Sequence, residues 1–232
     1  MINRMKLNMK KDHNKFLFLL LSADCLFIIL HIFHDYTGFF VDPRYAISKD
    51  RGFGEIFQYV KEYWVSLIFF WLAVKNRSLL YLSYSLLFVY ILVDDSFMIH
   101  EKLGKEISIY FGFPTMLKLR PRDFGEMSIY AIVGLSFLFL VGLTYPGSTQ
   151  NLKKTCRKSF VFLAIFFLFG AVIDMATIMI ANIFSKNSLW YSLIILLEDG
   201  GEMIIVSVIL WYVFLLLGEE RSDHSAVVSE NI

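Results

Sequence analysis

Seven acidic side chains interrupt apolar stretches of this chain, and they are its clearest sign of chemistry. They are Asp24, Asp94, Asp95, Asp174, Glu198, Asp199 and Glu202. An ionised side chain at the centre of a bilayer costs about 2.5–3.5 kcal/mol on the most lenient scales. Only Lys61 lies near enough to reach one of them. The carboxylates are therefore expected to share protons or to surround a cation.

Histidines near these acids favour a metal ion as that cation. His31, His34 and His100 lie close by in sequence, and Asp24 and His31 are seven residues apart, on one helix face. Mixed His and carboxylate ligation suits Zn, Mn or Fe better than Ca. The sequence thus predicts a divalent metal with these ligands: Asp24, His31, Asp94, His100, Glu101 and Asp199.

The elements that must position these residues are membrane-spanning helices. The chain has 232 residues, of which 57% are hydrophobic, above the roughly 45–50% of soluble domains. The apolar residues form blocks long enough to cross a bilayer. We predict an all-α integral membrane protein, a bundle of six transmembrane helices within residues 16–218. The predicted spans are 16–36, 57–74, 78–101, 127–145, 159–184 and 189–217.

The distribution of basic residues predicts the orientation of the bundle. A basic head at 1–15 and two short, basic connections hold most of the positive charge of one side. The positive-inside rule then places the N- and C-termini in the cytoplasm. The tail at 219–232 is polar and is expected to be disordered. The chain is expected in the plasma membrane, as a multi-pass protein of the bacterial inner-membrane type.

This topology predicts that the carboxylates share one depth, between the midplane and the outer third. We therefore expect a single pocket that is open to the outer face. Two similar segments, Arg51–Glu55 and Arg122–Glu126, precede spans 2 and 4, so Glu55 and Glu126 are expected at its rim, together with Asp174. A second pair of similar segments, Leu92–Asp95 and Leu196–Asp199, is compatible with a 3+3 inverted repeat, in which spans 1–3 and 4–6 would be related halves.

The leading functional hypothesis is a metal-dependent intramembrane hydrolase. The metal would acidify a water molecule, and Glu198, Glu202 and Asp95 would carry out the catalysis. The substrate would be a membrane lipid or a lipid-linked molecule. Its phosphate or headgroup would bind to the basic stretch formed by Lys118, Arg120 and Arg122.

Two other classes of function fit the same residues. A cation or proton transporter or channel would use the same carboxylates, although the inner halves of the spans show no polar stripe. A non-enzymatic partner or effector subunit would use them only to fix helix packing. The net charge of +1 gives no support to nucleic-acid binding.

Overall fold

The computed structural model of the protein describes residues 2–116, 118–181 and 189–230, with side chains described for 13–116, 118–180 and 190–218. The described chain is helical. The helices are α1 (Ile2–Thr37), α2 (Phe53–Asn76), α3 (Leu79–Phe97), α4 (Ile99–Phe111), α5 (Pro121–Thr144), α6 (Gln150–Phe167), α7 (Asp174–Ala181) and α8 (Leu189–Glu230). A 3₁₀ turn (Pro43–Tyr45) precedes α2, and a π-helical segment (Leu168–Ile173) joins α6 to α7.

Local sequence explains where several helices begin and end. Ser78 and Thr149 accept backbone N–H groups of the first turns of α3 and α6, which is the usual role of a hydroxyl at an N-cap. Pro121 occupies the first turn of α5, where its missing N–H has no helical partner to lose. Arg77, in the left-handed conformation, ends α2.

The bundle has two chemically different ends. The acidic end contains the starts of α2, α5 and α8, the end of α3 and the whole of α7. The basic end contains the opposite tips, where Tyr84 of α3 donates a hydrogen bond to the carbonyl of Cys156 of α6 (2.9 Å). The short connections with Lys75, Arg77 and Lys153 lie at this end. Successive long helices thus run in alternating directions between the two ends.

Five helical stretches are long and apolar enough to cross a membrane. They are His13–Thr37, Leu79–Phe97, Pro121–Thr144, Gln150–Ile180 and Trp190–Gly218. They coincide with five of the six predicted spans, and the protein is an α-helical membrane protein. The remaining one, the second predicted span (57–74), corresponds to α2, whose 24 residues include Glu55, Lys61, Glu62 and Lys75. Its charged residues, not its length, separate it from the other five.

The third predicted span ends earlier than expected. α3 stops at Phe97, and Met98 adopts a left-handed conformation with φ 53° while its N–H bonds to the carbonyl of Asp94. His100 and Glu101 therefore lie on the separate helix α4 and not at the end of α3. At the other extreme of the chain, α8 continues to Glu230, through most of the segment expected to be disordered. The last three residues of the fifth predicted span, 182–184, lie outside the described residues.

Two glycines allow α4 and α5 to pack with their backbones in contact. A Cβ atom added to Gly125 would lie 1.9 Å from the carbonyl oxygen of Gly104. A Cβ atom added to Gly104 would lie 2.7 Å from the backbone nitrogen of Glu126. This close approach holds the first turns of α5 against α4, and small residues commonly permit such contacts between membrane helices.

We predict that Gly125→Ala separates α4 from α5 and lowers the free energy of unfolding by about 1–3 kcal/mol, because the added methyl group cannot fit. Gly134→Ala, in the same helix, is the control, since nothing lies within 4 Å of its Cβ position. That change is expected to be neutral or stabilising, by up to about 1 kcal/mol. Denaturant unfolding in detergent micelles measures both. Equal stability of the two variants would contradict the packing described here.

Candidate functional site

A cavity of about 390 Å³ lies at the acidic end of the bundle. Six helices, the π-helical segment and the loop before α2 contribute to its wall. Nine of the lining residues are acidic: Asp50, Glu55, Asp95, Glu101, Glu126, Asp174, Glu198, Asp199 and Glu202. Lys49, Arg120, Arg122 and His100 also line it. Carboxylates outnumber lysine and arginine three to one, so the cavity is strongly acidic.

The positive charge of the cavity is concentrated on its α4–α5 side. Arg122 pairs with two carboxylates, Glu101 and Glu126, and its Nε lies 2.6 Å from Glu126 Oε1. Arg120 pairs with Asp123 at 2.8 Å, across the first turn of α5. Both arginines therefore already neutralise neighbouring acids. They leave little positive charge for the α7 and α8 side of the cavity.

Glu55 has a structural role and also lines the cavity. It lies in the first turn of α2, where its carboxylate accepts the backbone N–H of Arg51. A negative charge is favourable there because the helix dipole is positive at its N-terminus. The Arg51 guanidinium in turn donates to the carbonyl of Ser96 at 3.3 Å. The loop before α2 is thus tied to the end of α3.

The floor of the cavity lies between α2 and α8. The side-chain amide of Gln58 donates to Glu202 Oε1 at 2.7 Å. Glu62, one turn deeper on α2, is fully buried. Neither of its carboxylate oxygens makes a well-formed hydrogen bond among the described residues, although the side chains of Asp95 and Gln58 are close enough to interact with it, and Glu198 Oε2 also makes none. Buried acid oxygens without partners are costly, so the floor favours a bound cation or proton.

His100 is held by Asp94 at the junction of α3 and α4. Its backbone N–H donates to Asp94 Oδ1 at 2.6 Å, and its Nδ1 lies 3.1 Å from the same oxygen. Its ring also packs against Tyr130, with centroids 5.1 Å apart. Burial alone would lower the pKa of His100, but the contact with Asp94 and the charge of that group outweigh it and raise the pKa.

Comparison with known proteins places this site in a family. Residues 16–217 match the family described as Domain of unknown function (DUF8692). The chain belongs to this family. No curated protein and no solved structure matches it. The matched region includes every residue that lines the cavity, from Ile47 to Met203, so the acidic cavity is part of the DUF8692 domain.

The cavity of this DUF8692 protein brings together most of the residues singled out from the sequence. The predicted catalytic residues Asp95, Glu198 and Glu202 line it. So do three predicted metal ligands, the three predicted rim acids and two of the predicted headgroup residues: His100, Glu101, Asp199, Glu55, Glu126, Asp174, Arg120 and Arg122. Asp24, His31, Asp94 and Lys118 are not among its lining residues.

Asp24 lies in a buried ion pair and not in the cavity. Lys61 Nζ donates to Asp24 Oδ1 (2.9 Å), to the carbonyl of Met203 (2.8 Å) and to Ser207 Oγ (3.0 Å). Ser207 donates to the other carboxylate oxygen of Asp24 at 2.5 Å. Both charged side chains are fully buried. Asp24 is thus the acid that Lys61 reaches, and it lies in this pair and not, as expected, among the carboxylates of the cavity.

The other predicted ligands outside the cavity also have local neighbours. His31 is buried on α1, with Nδ1 3.7 Å from Asp35 Oδ1. Asp94 is buried and faces His100 and its backbone. Through that contact Asp94 fixes the position of a cavity residue without lining the cavity itself.

Sequence reasoning overlooked several residues of the site. Lys49, Asp50, Gln58 and Tyr130 line the cavity, and Glu62 lies behind its floor. One signal was available in the sequence of α2. Gln58 and Glu62 are four residues apart and therefore share a helix face. The lining residues of the 47–50 loop had no comparable signal, because a loop's path is not set by helical spacing.

The cavity does not contain a ready-made cage for a bare metal ion. Among the side chains described, those of residues 13–116, 118–180 and 190–218, no group of three His, Cys, Asp or Glu converges at metal-ligating distances. The carboxylates instead surround an open volume. Such an arrangement can contact a cation through bridging water molecules, as Mg²⁺ sites commonly do.

We predict that Lys61→Met lowers the free energy of unfolding by about 3–5 kcal/mol, because it leaves Asp24 buried without its cation. The double variant Lys61→Met/Asp24→Leu should recover most of this loss, since no unpaired charge then remains. Lys154→Met, at an exposed lysine of α6, is the control. Unfolding in detergent micelles provides the measurement. A single variant as stable as the Lys154 control would show that the pair is not formed.

Proposed function

We propose that this DUF8692 protein binds a divalent cation in its acidic cavity and uses it to hydrolyse a lipid or lipid-linked substrate at the outer face of the plasma membrane. In this proposal α2 also crosses the membrane, which gives six spans in all. Both termini are cytoplasmic, and the membrane is a plasma membrane of the bacterial inner-membrane type. The positions of Lys75, Arg77, Lys153 and Lys154 at the basic end support this orientation. The 3+3 inverted repeat stays a prediction.

The uncompensated charge of the cavity carries the proposal. Nine carboxylates stand against three lysine and arginine residues in about 390 Å³. At a separation of 4 Å, two like charges repel by about 4 kcal/mol at an effective dielectric constant near 20. A divalent cation would relieve this repulsion, and it would also provide a partner for Glu198 Oε2 on the cavity wall.

The donor set favours a cation that prefers oxygen. Of the histidines considered as ligands, only His100 lines the cavity, and its Nδ1 already faces Asp94. The remaining donors are carboxylates. Mg²⁺, Mn²⁺ and Ca²⁺ accept such ligands, whereas Zn²⁺ prefers nitrogen and sulfur. We therefore favour Mn²⁺ or Mg²⁺, partly hydrated, over the Zn²⁺ or Fe²⁺ suggested by the sequence.

The neighbouring side chains provide the parts that hydrolysis requires. A cation-bound water loses its proton more readily than bulk water, and Glu198 would accept that proton through Oε2, the oxygen that makes no well-formed hydrogen bond among the described residues. The water oxygen would form the new bond to the acyl carbon or phosphorus, the bond from that atom to the leaving oxygen would break, and the leaving oxygen would take up the proton held by Glu198. Lys49, Arg120 and Arg122 are the positive groups that an anionic part of the substrate would meet, and both arginines would contact it while paired with carboxylates.

The closed basic half of the bundle favours an enzyme over a transporter. Below the floor, the described part of the bundle is packed mainly by apolar side chains, with Phe69, Leu72, Phe88, Leu210 and Val213 all buried, and its buried hydroxyls, such as those of Ser66 and Ser85, are few. A conduction path would need polar side chains or water through this core. The site is therefore better suited to a reaction that begins and ends at one face.

Transport is a second candidate because polar groups continue beneath the cavity. Gln58 and Glu202 form the floor, and the Lys61–Asp24–Ser207 network lies next to it on α2, α1 and α8. Proton or cation flux into vesicles that contain the purified protein distinguishes the two. Flux that stops in Glu202→Gln would favour transport.

We expect Glu198→Gln and Glu202→Gln each to weaken Mn²⁺ binding about 10- to 100-fold, the range typical for loss of a group that supports a metal. Electron paramagnetic resonance of free Mn²⁺ measures the binding in detergent-solubilised protein. Asp42→Asn is the control, because Asp42 pairs with Arg44 outside the cavity, which lowers its pKa to about 2. Unchanged Mn²⁺ affinity in both glutamate variants would refute the proposed site.

A further inference from the structure

An apolar groove runs along α8 beside the acidic cavity. Its volume is about 560 Å³, and residues of α1, α6, the π-helical segment and α8 line it. The lining includes Ile28, Ile165, Phe169, Leu197, Ile204 and Val208. α1 and α6 both pack against α8 and flank the groove, so α8 forms its floor.

The groove has the length and direction of a lipid chain. On α8 it extends from Leu193 to Val208. Fifteen residues of α-helix correspond to about 22 Å at about 1.5 Å per residue. One leaflet of the hydrocarbon core is about 15 Å thick. The groove therefore reaches past the depth of one leaflet, parallel to the helices.

Only one layer of residues separates the groove from the cavity. On α8, Gly200, Gly201 and Ile204 line the groove, whereas Asp199 and Glu202 line the cavity. The two glycines provide the depth of the groove, because neither has a side chain to fill it.

The π-helical segment, which faces α8, also separates the groove from the cavity by a single layer of residues. The ring of Phe169 packs on Gly201, where an added Cβ atom would lie 2.4 Å from the ring. The next residue, Gly170, lines the cavity, and its Cβ position is 3.2 Å from Glu202 Oε2. Both residues belong to the π-helical segment Leu168–Ile173. Such segments are rare and are frequently found at functional sites.

We propose that this groove holds one acyl chain of a phospholipid whose headgroup enters the acidic cavity, with Phe169 as the partition between them. The inference rests on the proposed function and names its substrate class. An apolar groove that lies one layer of residues away from a charged cavity matches the two parts of such a lipid. The phosphate would meet the bound cation and the basic residues Lys49, Arg120 and Arg122.

Photocrosslinking of the full chain in vesicles tests this proposal. The probe is phosphatidylethanolamine with a diazirine near the end of one acyl chain, and the labelled residues are mapped by mass spectrometry. We expect labelling of Leu197 and Ile204 to exceed that of Leu135, an equally apolar and more exposed residue of α5. With the probe held at a fixed mole fraction, replacing the phosphatidylcholine of the vesicle with unlabelled phosphatidylethanolamine should suppress the label at Leu197 and leave Leu135 unchanged. Equal, non-competable labelling at all positions would overturn the proposal.

Filling the groove provides the second arm of the test. Gly200→Phe should reduce labelling of Leu197 to the level at Leu135, because the new ring occupies the groove near Ile28. The same substitution at Gly134, which has open space around it, is the control and should leave labelling unchanged. Ile204→Trp replaces Gly200→Phe if that variant does not fold. Persistent labelling of Leu197 in the folded, filled variant would also overturn the proposal.

Mn²⁺ binding separates failure of the groove from failure of the proposed function. Gly200→Phe should bind Mn²⁺ as the unmodified chain does, since Gly200 does not line the cavity. Loss of labelling with intact Mn²⁺ binding supports the groove as the chain site. Selective labelling in a protein that binds no Mn²⁺ would refute the cation-dependent reaction and leave a lipid-binding groove. Uniform labelling with intact Mn²⁺ binding would refute only the proposal that the groove holds an acyl chain, and the proposed cation site would stand.

Discussion

The buried ion pair between Lys61 and Asp24 is the constraint on which the rest of the site depends. Both side chains are fully buried, and the lysine ammonium group has three oxygen partners. Since each charge would be costly alone in an apolar interior, the pair fixes α1, α2 and α8 relative to one another. Gln58 and Glu62, on the same part of α2, are thereby held against α8. The floor of the cavity is a consequence of this arrangement.

The protein treats its acidic residues in two ways. Asp24, Glu101 and Asp123 have Lys or Arg partners, and each of these pairs ties helices or turns together. The acids of α7 and α8, by contrast, surround an open volume with few cations near them. A chain that needed acids only for packing would gain by pairing all of them. This difference between the paired acids and the acids of α7 and α8 is the strongest argument that the acids of α7 and α8 bind a ligand.

Sequence reasoning predicted the collection of acids better than their individual contacts. Hydropathy and alternating direction were enough to bring Asp95, Glu198, Asp199 and Glu202 to one end, because depth follows from position along a helix. Contacts depend also on helix rotation and on side-chain reach, which spacing does not give.

Two residues illustrate this limit. Lys61 was recognised as able to reach an acid, but its choice of Asp24 follows from how α1 and α2 meet on α8. His100 was expected to continue α3, and the left-handed turn at Met98 places it on α4 instead. Hydrophobic pattern alone does not reveal such a break, since Ile99 and Leu103 continue the apolar periodicity across it.

The two glycines of α8 explain why an acidic cavity and an apolar groove can share one helix. In the four residues from Asp199 to Glu202, the two outer residues are acids that line the cavity, and the two inner residues are glycines that line the groove. A larger residue at 200 would fill the groove beside Ile28, whereas one at 201 would displace the ring of Phe169, which precedes the cavity residue Gly170. The Asp-Gly-Gly-Glu sequence is therefore best understood as a thin wall. Its two faces meet chemically opposite parts of what we propose to be a single lipid.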